Sequence, residues 1–324
     1  MEEAVGNESA NGRSDPTVWN RRRVLGAVAA AAAVSGLPGR PALAAPAPVR
    51  LALGDAEVTV LSDGGLVLPM GFYLPETPQA EIDALLTPHG LPTDMVRPDC
   101  NLTLLRTGDR VVLFDAGAGP LFQETAGKLP GSLSAAGVAP DEITDVCFTH
   151  AHPDHLWGVI DDFDEPVFPN ARFWMNRMEW DFWRAPETLD AMPEARKSFV
   201  VGAQNRMDVI EPQVTLFDAG AEVVPGVEAV ASFGHTAGHC SFMIHGGDGL
   251  LVVGDAIANA VISFERPDWH AGSDQDPAAG AATRGRLLDR LTADKARILG
   301  FHLPYPGIGS VERKGAHYRF APAG

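Results

Sequence analysis

The 324-residue chain is poor in cysteine, with Cys100, Cys147 and Cys240 and no C-x-x-C pair among them. An odd count leaves no complete disulfide framework, so all three read as small buried hydrophobes. Basic residues are also scarce: 25 Lys and Arg stand against 42 Asp and Glu, a net charge of −17. Nucleic-acid binding draws its affinity from counterions released by a basic surface, so no nucleic-acid partner is expected and the acidity reads as a solvated surface. The alanine-rich run Val24 to Leu37 is too short and too small to cross a bilayer as a permanent helix. No repeat of solenoid period and no long linker appear, and no Ser-His-Asp or Cys-His arrangement offers a side-chain nucleophile. With 45% hydrophobic residues there is ample material for a core, in one domain.

Histidine and aspartate are concentrated where the chemistry is to be sought. Thr149-His150-Ala151-His152-Pro153-Asp154-His155-Leu156 places three histidines and an aspartate within six residues. Neutral imidazole and carboxylate are the side chains that hold zinc and similar divalent ions. The short apolar run Ile143 to Phe148 before it reads as a buried strand. If the strand ends near Thr149, His150 and His152 share a tight turn and converge on one ion. Pro153 suits the first position of a helix, which carries Asp154 and His155 as ligands for a second ion.

H-x-H-x-D-H resembles the signature of the metallo-β-lactamase-fold hydrolases. Gly234-His235-Thr236-Ala237-Gly238-His239 is similar to the family's G-H-T-x-G-H element, Asp255 after Leu251 to Gly254 to its strand-end aspartate, and His302 in Gly300-Phe301-His302 to its final histidine. The resemblance spans roughly Val58 to Phe320. It implies an α+β fold, an αββα sandwich of two mixed sheets with helices outside. It also implies two divalent metal ions, zinc foremost with manganese, cobalt or iron as alternatives. His150, His152 and His235 would hold the first, and Asp154, His155 and His302 the second. Asp255 and a hydroxide would bridge them. Asp255 and Asp154 are the catalytic candidates, Asp154 as proton carrier to the leaving group. Asp115, in an Asp115-Ala116-Gly117-Ala118-Gly119 turn like the family's D-x-G-x-G, reads as a brace behind the metal loop in preference to a ligand. By family position His239 is not a ligand but a supporting or core histidine. His89, His245, His270 and His317 have no partner spacing and carry no assignment.

Asn20-Arg21-Arg22-Arg23-Val24-Leu25 resembles a twin-arginine export motif, with Asn20 where Ser or Thr is usual and Val24 where Phe is usual. Ala42-Leu43-Ala44 supplies an A-x-A cleavage site. Residues 1–44 therefore read as a signal peptide engaging the twin-arginine translocation machinery, a membrane-anchoring or merely disordered tail being the alternative. Residues 45–324 read as the hydrolase domain of a bacterial protein, periplasmic or secreted, with no stable membrane anchor.

Along the chain, Glu57 to Gly65 predicts a strand turning at Asp63-Gly64, and Asn101–Arg106 with Arg110–Phe114 a hairpin. After the metal motif a strand is expected over Phe168–Met175, a helix over Arg177–Trp183 and a longer one over Ala191–Met207. Strands follow at Val214–Phe217, Val227–Phe233, Phe242–His245, Leu250–Val253 and Arg297–Phe301, with an amphipathic helix over 278–293.

Departures within the superfamily narrow the function. Asp255 argues against a true β-lactamase, about twenty residues after His302 leave no room for a glyoxalase II-type C-terminal domain, and His152 stands where flavodiiron proteins usually have Glu. Phe301 to Gly309 and Tyr318 look like the C-terminus of methyl parathion hydrolase-like proteins. The expected function is an exported dinuclear hydrolase acting on a lactone or other neutral ester. The alternatives are a phosphotriesterase acting on organophosphates, an iron enzyme of persulfide dioxygenase type and a metal-holding binding protein. The aromatics Trp174, Trp180, Phe182 and Trp183 read first as core packing, exposed members meeting substrate. Leu66, Leu68, Met70, Phe72 and Tyr73 form an apolar stretch, broken by Pro69 and Gly71, that reads as a lid over the metals or a homodimer contact. The pocket candidates are thus Leu66, Leu68, Phe72, Trp180 and Trp183.

Overall fold

Along the strand Arg110–Phe114, Val111 and Leu113 enter one hydrophobic cluster while Val112 and Phe114 enter another. Side chains of a strand alternate between faces, so this strand lies in a sheet covered on both sides. The computed structural model describes residues 46–323; the signal peptide read over residues 1–44 lies outside them. The first sheet is built from β1 (Val49–Leu53), β2 (Ala56–Gly65), β5 (Asp99–Thr107), β6 (Arg110–Phe114), β7 (Asp145–Cys147), β8 (Arg172–Asn176) and β9 (Val214–Phe217), in that order. β3 (Leu68–Pro69) and β4 (Met95–Val96) form a separate short pair. The second sheet runs β10 (Glu222–Val224), β11 (Val227–Ala231), β12 (Cys240–Ile244), β13 (Leu250–Val252), β14 (Arg297–Leu299), β15 (Ile308–Lys314) and β16 (His317–Pro322).

Both sheets are mixed. β6 to β9 are parallel and β1, β2, β5 and β6 antiparallel, while in the second sheet only β13 and β14 are parallel. Between the sheets lie Val58, Val112, Phe114 and Cys147 from one side and Val227, Phe242, Leu250 and Leu299 from the other. The outer face of the first sheet packs on the helix Lys197–Ile210 through Val200, Ala203 and Met207, and that of the second on the helix Pro277–Asp294 through Leu287, Leu288 and Leu291. The result is the αββα sandwich expected from the sequence, and the cysteines are buried in it as expected.

This topology positions the site. β6 and β7 run parallel, as do β13 and β14, and two antiparallel steps bring β11 into the direction of β13. Asp115, the His150 loop, the His235 loop, Asp255 and His302 each follow the C-terminal end of one of these strands.

Several boundaries differ from expectation. β1 was not anticipated, being short and half exposed. The Asp63-Gly64 turn is instead a register shift inside β2, where Gly64 has φ +92° and a Cβ would lie 2.2 Å from the Thr125 carbonyl oxygen. The strand expected from Phe168 begins at Arg172, after a turn at Pro169-Asn170. The helix expected over Ala191–Met207 is broken at Pro193, where Pro186–Ala191 ends and a 3₁₀ turn leads into Lys197–Ile210.

Candidate metal centre

β7 ends at Cys147 and the chain enters a buried loop in which Asp115 accepts from the Thr149 backbone N–H (2.7 Å) and hydroxyl (2.9 Å). Asp115 has φ 62°, a conformation that aspartate tolerates better than most non-glycine residues. The loop presents His150 and His152, and Pro153 opens the short helix Pro153–Leu156 that carries Asp154 and His155.

Two clusters result. In the first, His152 Nδ1 lies 3.0 Å from His150 Nε2 and 2.9 Å from His235 Nε2. Three nitrogens about 2.0–2.1 Å from a tetrahedral zinc stand about 3.3 Å apart, so this convergence is close to that of a bound ion. The outer atoms assign the tautomers: His235 Nδ1–H donates to Asp274 at 2.8 Å, and His150 Nδ1 rests 3.1 Å from the Thr149 hydroxyl. Both Nε2 lone pairs therefore face the cluster. Burial, reinforced by neighbouring imidazoles, holds His150 and His152 well below their ordinary value, the neutral form a metal requires.

In the second cluster, His302 Nε2 lies 3.2 Å from Asp154 Oδ2, and His155 Nε2 lies 3.5 Å from the same oxygen. His155 Nδ1 pairs with Asp115 at 2.9 Å, and His302 Nδ1–H donates to the Asp99 carbonyl at 2.8 Å. Asp255 stands between the clusters, with Oδ1 3.2 Å from His155 Nε2 and Oδ2 3.3 Å from both His235 and His302 Nε2. Burial alone would raise the Asp255 carboxyl, but His302, His155 and His235 outweigh it and hold it well below the carboxylate range. Burial likewise opposes charge on His155 and His302, yet Asp255 and its neighbours keep both well above their ordinary value. The pocket stabilises positive charge there, as a divalent ion requires.

Buried polar atoms normally find partners. Asp154 Oδ2, His155 Nε2 and Asp255 Oδ1 are buried, and their ion-pair contacts are to one another and to His302, with no aligned hydrogen-bond partner among the described residues. All seven candidate ligand residues thus come together, and the donor set fits a dinuclear metal site.

Supporting residues escaped the sequence reading. Glu179, buried on the helix Arg177–Arg184, accepts from the Ala151 N–H (2.9 Å), Gly238 N–H (2.9 Å), Thr236 hydroxyl (2.6 Å) and Trp183 indole N–H (2.7 Å). One carboxylate therefore ties the His150 loop to the His235 loop. Gly238 is required by this approach, since a Cβ there would lie 2.2 Å from the Glu179 nitrogen. Asp274, which braces His235, is itself paired with Arg284 at 3.2 Å. Asn101 donates to the Gly300 and Leu303 carbonyls and so fixes the His302 loop. Asp63 accepts from the N–H groups of Ala118, Gly127 and Leu129, anchoring the loop after Asp115. A buried acid read only as part of a turn was the available signal for Asp63; nothing in the sequence marked Glu179.

His239 accepts from the Asp255 N–H through Nε2 (3.0 Å) and pairs Nδ1 with the Ser232 hydroxyl (2.8 Å), a supporting position. Burial first, then His235, lowers it to about 3, so it is neutral. His270 is a surface residue 3.0 Å from Glu76. Two pocket candidates are corrected. Leu66 is buried in the core, and Trp183 is 1% exposed with its N–H committed to Glu179. Leu68 and Trp180 are half-buried, Trp180 beneath the Arg184 guanidinium, and Phe72 is exposed beneath that of Arg196. The expected lid is a packed wall, because Met70 and Tyr73 anchor it to Ile82, Leu86 and Ile262. Phe199, 6.2 Å edge-on from His152, and Phe122 beside it were not singled out from the sequence.

A four-layer sandwich with paired histidine–aspartate clusters at one edge of its sheets defines a class, that of the metal-dependent hydrolases, with a donor set compatible with two metal ions. Residues 96–302 match the Metallo-beta-lactamase superfamily, and the chain belongs to that superfamily. It is similar to the dizinc quorum-quenching lactonase AidC, solved with its product, at 30% identity and TM-score 0.81 over 87% of this chain and 98% of that one. It is also similar to the hydrolase AbOPH of the beta lactamase superfamily, at 25% identity and TM-score 0.79 over 86% and 98%. The Xenopus laevis metallo-beta-lactamase domain-containing protein 1 is 29% identical over 202 residues, 60% of this chain and 68% of that protein.

Proposed function

We propose that the protein is an exported metal-dependent hydrolase that opens a lactone or cleaves another neutral ester. The observation that carries this reading is Asp255 set between the two clusters, its oxygens 3.2–3.3 Å from His155, His235 and His302. The likeness to AidC supports the lactone. Bound here, two divalent ions would supply a nucleophile at neutral pH and a Lewis acid for the substrate oxygen. His150 and His235 would hold the first ion through Nε2 and His152 through Nδ1, and Asp154, His155 and His302 would hold the second. Asp154, beside the second ion's other donors, would also pass a proton to the departing oxygen. Nitrogen-rich donors favour zinc, with manganese, cobalt and iron as alternatives.

The test is metal content by mass spectrometry on the mature protein, paired with hydrolysis of a fatty-acyl lactone and an aryl phosphotriester. Two zinc ions per chain with the lactone preferred is the expected result. A preferred phosphotriester replaces the substrate class, and iron with oxygen uptake and neither substrate cleaved overturns the hydrolase. Export is tested separately: Arg21→Lys with Arg22→Lys, in the signal outside the described residues, retains the protein in the cytoplasm.

A further inference from the structure

The chain has three tyrosines. The hydroxyl of Tyr305 donates to the Ala47 carbonyl at 2.7 Å, and that of Tyr318 to Asp289 at 2.6 Å. Tyr73 is the exception. It is 6% exposed, yet its hydroxyl makes no hydrogen bond to any described residue. The ring is buried while the unpaired hydroxyl keeps a trace of access through the cavity it lines, so a partner for it can arrive from outside.

Its ring packs with Met70, Leu74, Ile82 and Ile262. Its carbonyl accepts from the Gly272 N–H at 2.8 Å, and Arg196 donates to the Gly272 carbonyl while lying over the Phe72 ring. The phenol lines a cavity of ≈ 10 Å³ whose wall also includes Asp255, Ser273, Asp274 and Arg284. That volume is about the least that holds one water-sized group. Ser273 makes no hydrogen bond to a described residue, and the buried Arg284 Nε–H is likewise unpaired. Donors without partners therefore gather beside Asp255, in a space that fits a single oxygen and is too small for an acyl chain.

We propose that this cavity is an oxygen subsite of the metal centre, in which the Tyr73 hydroxyl donates a hydrogen bond to the substrate oxygen that gains negative charge during hydrolysis. The inference rests on the hydrolase reading above. Tyr73 is then a catalytic residue, contacting substrate beside Asp255. Burial pushes the phenol up to about 12, so it stays a donor through the neutral range. The bond strengthens as charge develops, which places its effect in kcat more than in KM.

Tyr73→Phe deletes the hydroxyl and keeps the ring in its apolar cluster. With the preferred ester, kcat falls about 10²-fold, the scale for one oxyanion donor, with KM within about twofold. Metal content and melting temperature match those of the unaltered protein. Unchanged kcat overturns the subsite, and so does a loss of rate that tracks lost metal or a lowered melting temperature, because the role is then structural. Failure of the hydrolase reading is separable, since it shows as no ester turnover by the unaltered protein.

Discussion

In the first cluster three imidazole nitrogens converge at 2.9–3.0 Å, and their loops rest on two side-chain carboxylates, Glu179 and Asp274. In the second, oxygen and nitrogen stand 3.2–3.5 Å apart, and three of the facing atoms have no aligned hydrogen-bond partner among the described residues. The first subsite is shaped by the protein, through neutral donors fixed from behind. The second concentrates charge, Asp154 and Asp255 against His155 and His302, an arrangement that a cation would satisfy. Both subsites hold their histidines from behind, so what divides them is neutral donors in the first against facing charges in the second, and Asp255 belongs to both.

The division is tested most severely at the shared residue. Asp255→Asn removes a negative charge facing three imidazoles, so both ions are expected to bind more weakly and turnover to fall about 10³-fold. Full metal content with full activity in this variant would sink the bridging assignment. Glu179→Ala comes next. It strips the acceptor from four buried donors, each costing about 1–3 kcal/mol when unsatisfied. Thermal unfolding is expected to shift down by many degrees, with the first ion lost before the second. Equal loss of both ions would show that the brace serves the whole centre.

A matched pair separates the subsites more finely. Asp274→Asn weakens the partner of His235 Nδ1, and Asp115→Asn that of His155 Nδ1. Changes behind a ligating histidine typically cost about 10–100-fold in metal affinity. Competition with a chelator should show the first variant losing affinity at one site and the second, whose Asp115 also holds Thr149 before the His150 loop, losing most at the other. A variant of either kind that loosens both sites alike breaks the division.

The ligands were legible because H-x-H-x-D-H, His235, Asp255 and His302 stand at strand ends that hydrophobic runs mark. Such runs mark elements well and their ends poorly, hence Arg172 rather than Phe168 as the start of β8. Asp115 was legible as a brace through its motif, whereas Glu179 and Asp274 were illegible for a different reason. Glu179 lies in Arg177-Met178-Glu179-Trp180-Asp181, where a carboxylate reads as one more charge on a solvated face. Only the helix, capped by Asn176 at 2.9 Å, turns Glu179 inward while Met178 stays exposed. Asp274 follows a loop without periodicity, so its approach to His235, 39 positions away, had no local signal. Tertiary contacts between distant carboxylates and metal loops leave no pattern in one sequence.

Trp183 carries the smallest expected effect and bears on both the comparison and that error. Read from the sequence first as core packing and second as a pocket candidate, it is a buried donor to the brace of the first subsite, its ring 5.8 Å from His152. Trp183→Phe keeps an aromatic ring but removes one of four donors to Glu179. A net cost of about 1 kcal/mol lowers the melting temperature by about 2–4 °C, with the affinity of the first site barely altered because Glu179 keeps both loop contacts. A pocket wall predicts something else, a KM that changes with acyl chain length while stability holds. Measuring KM across a series of lactones beside the melting temperature distinguishes them: a stability loss at constant KM places the indole in the brace, and a chain-length effect returns it to the pocket.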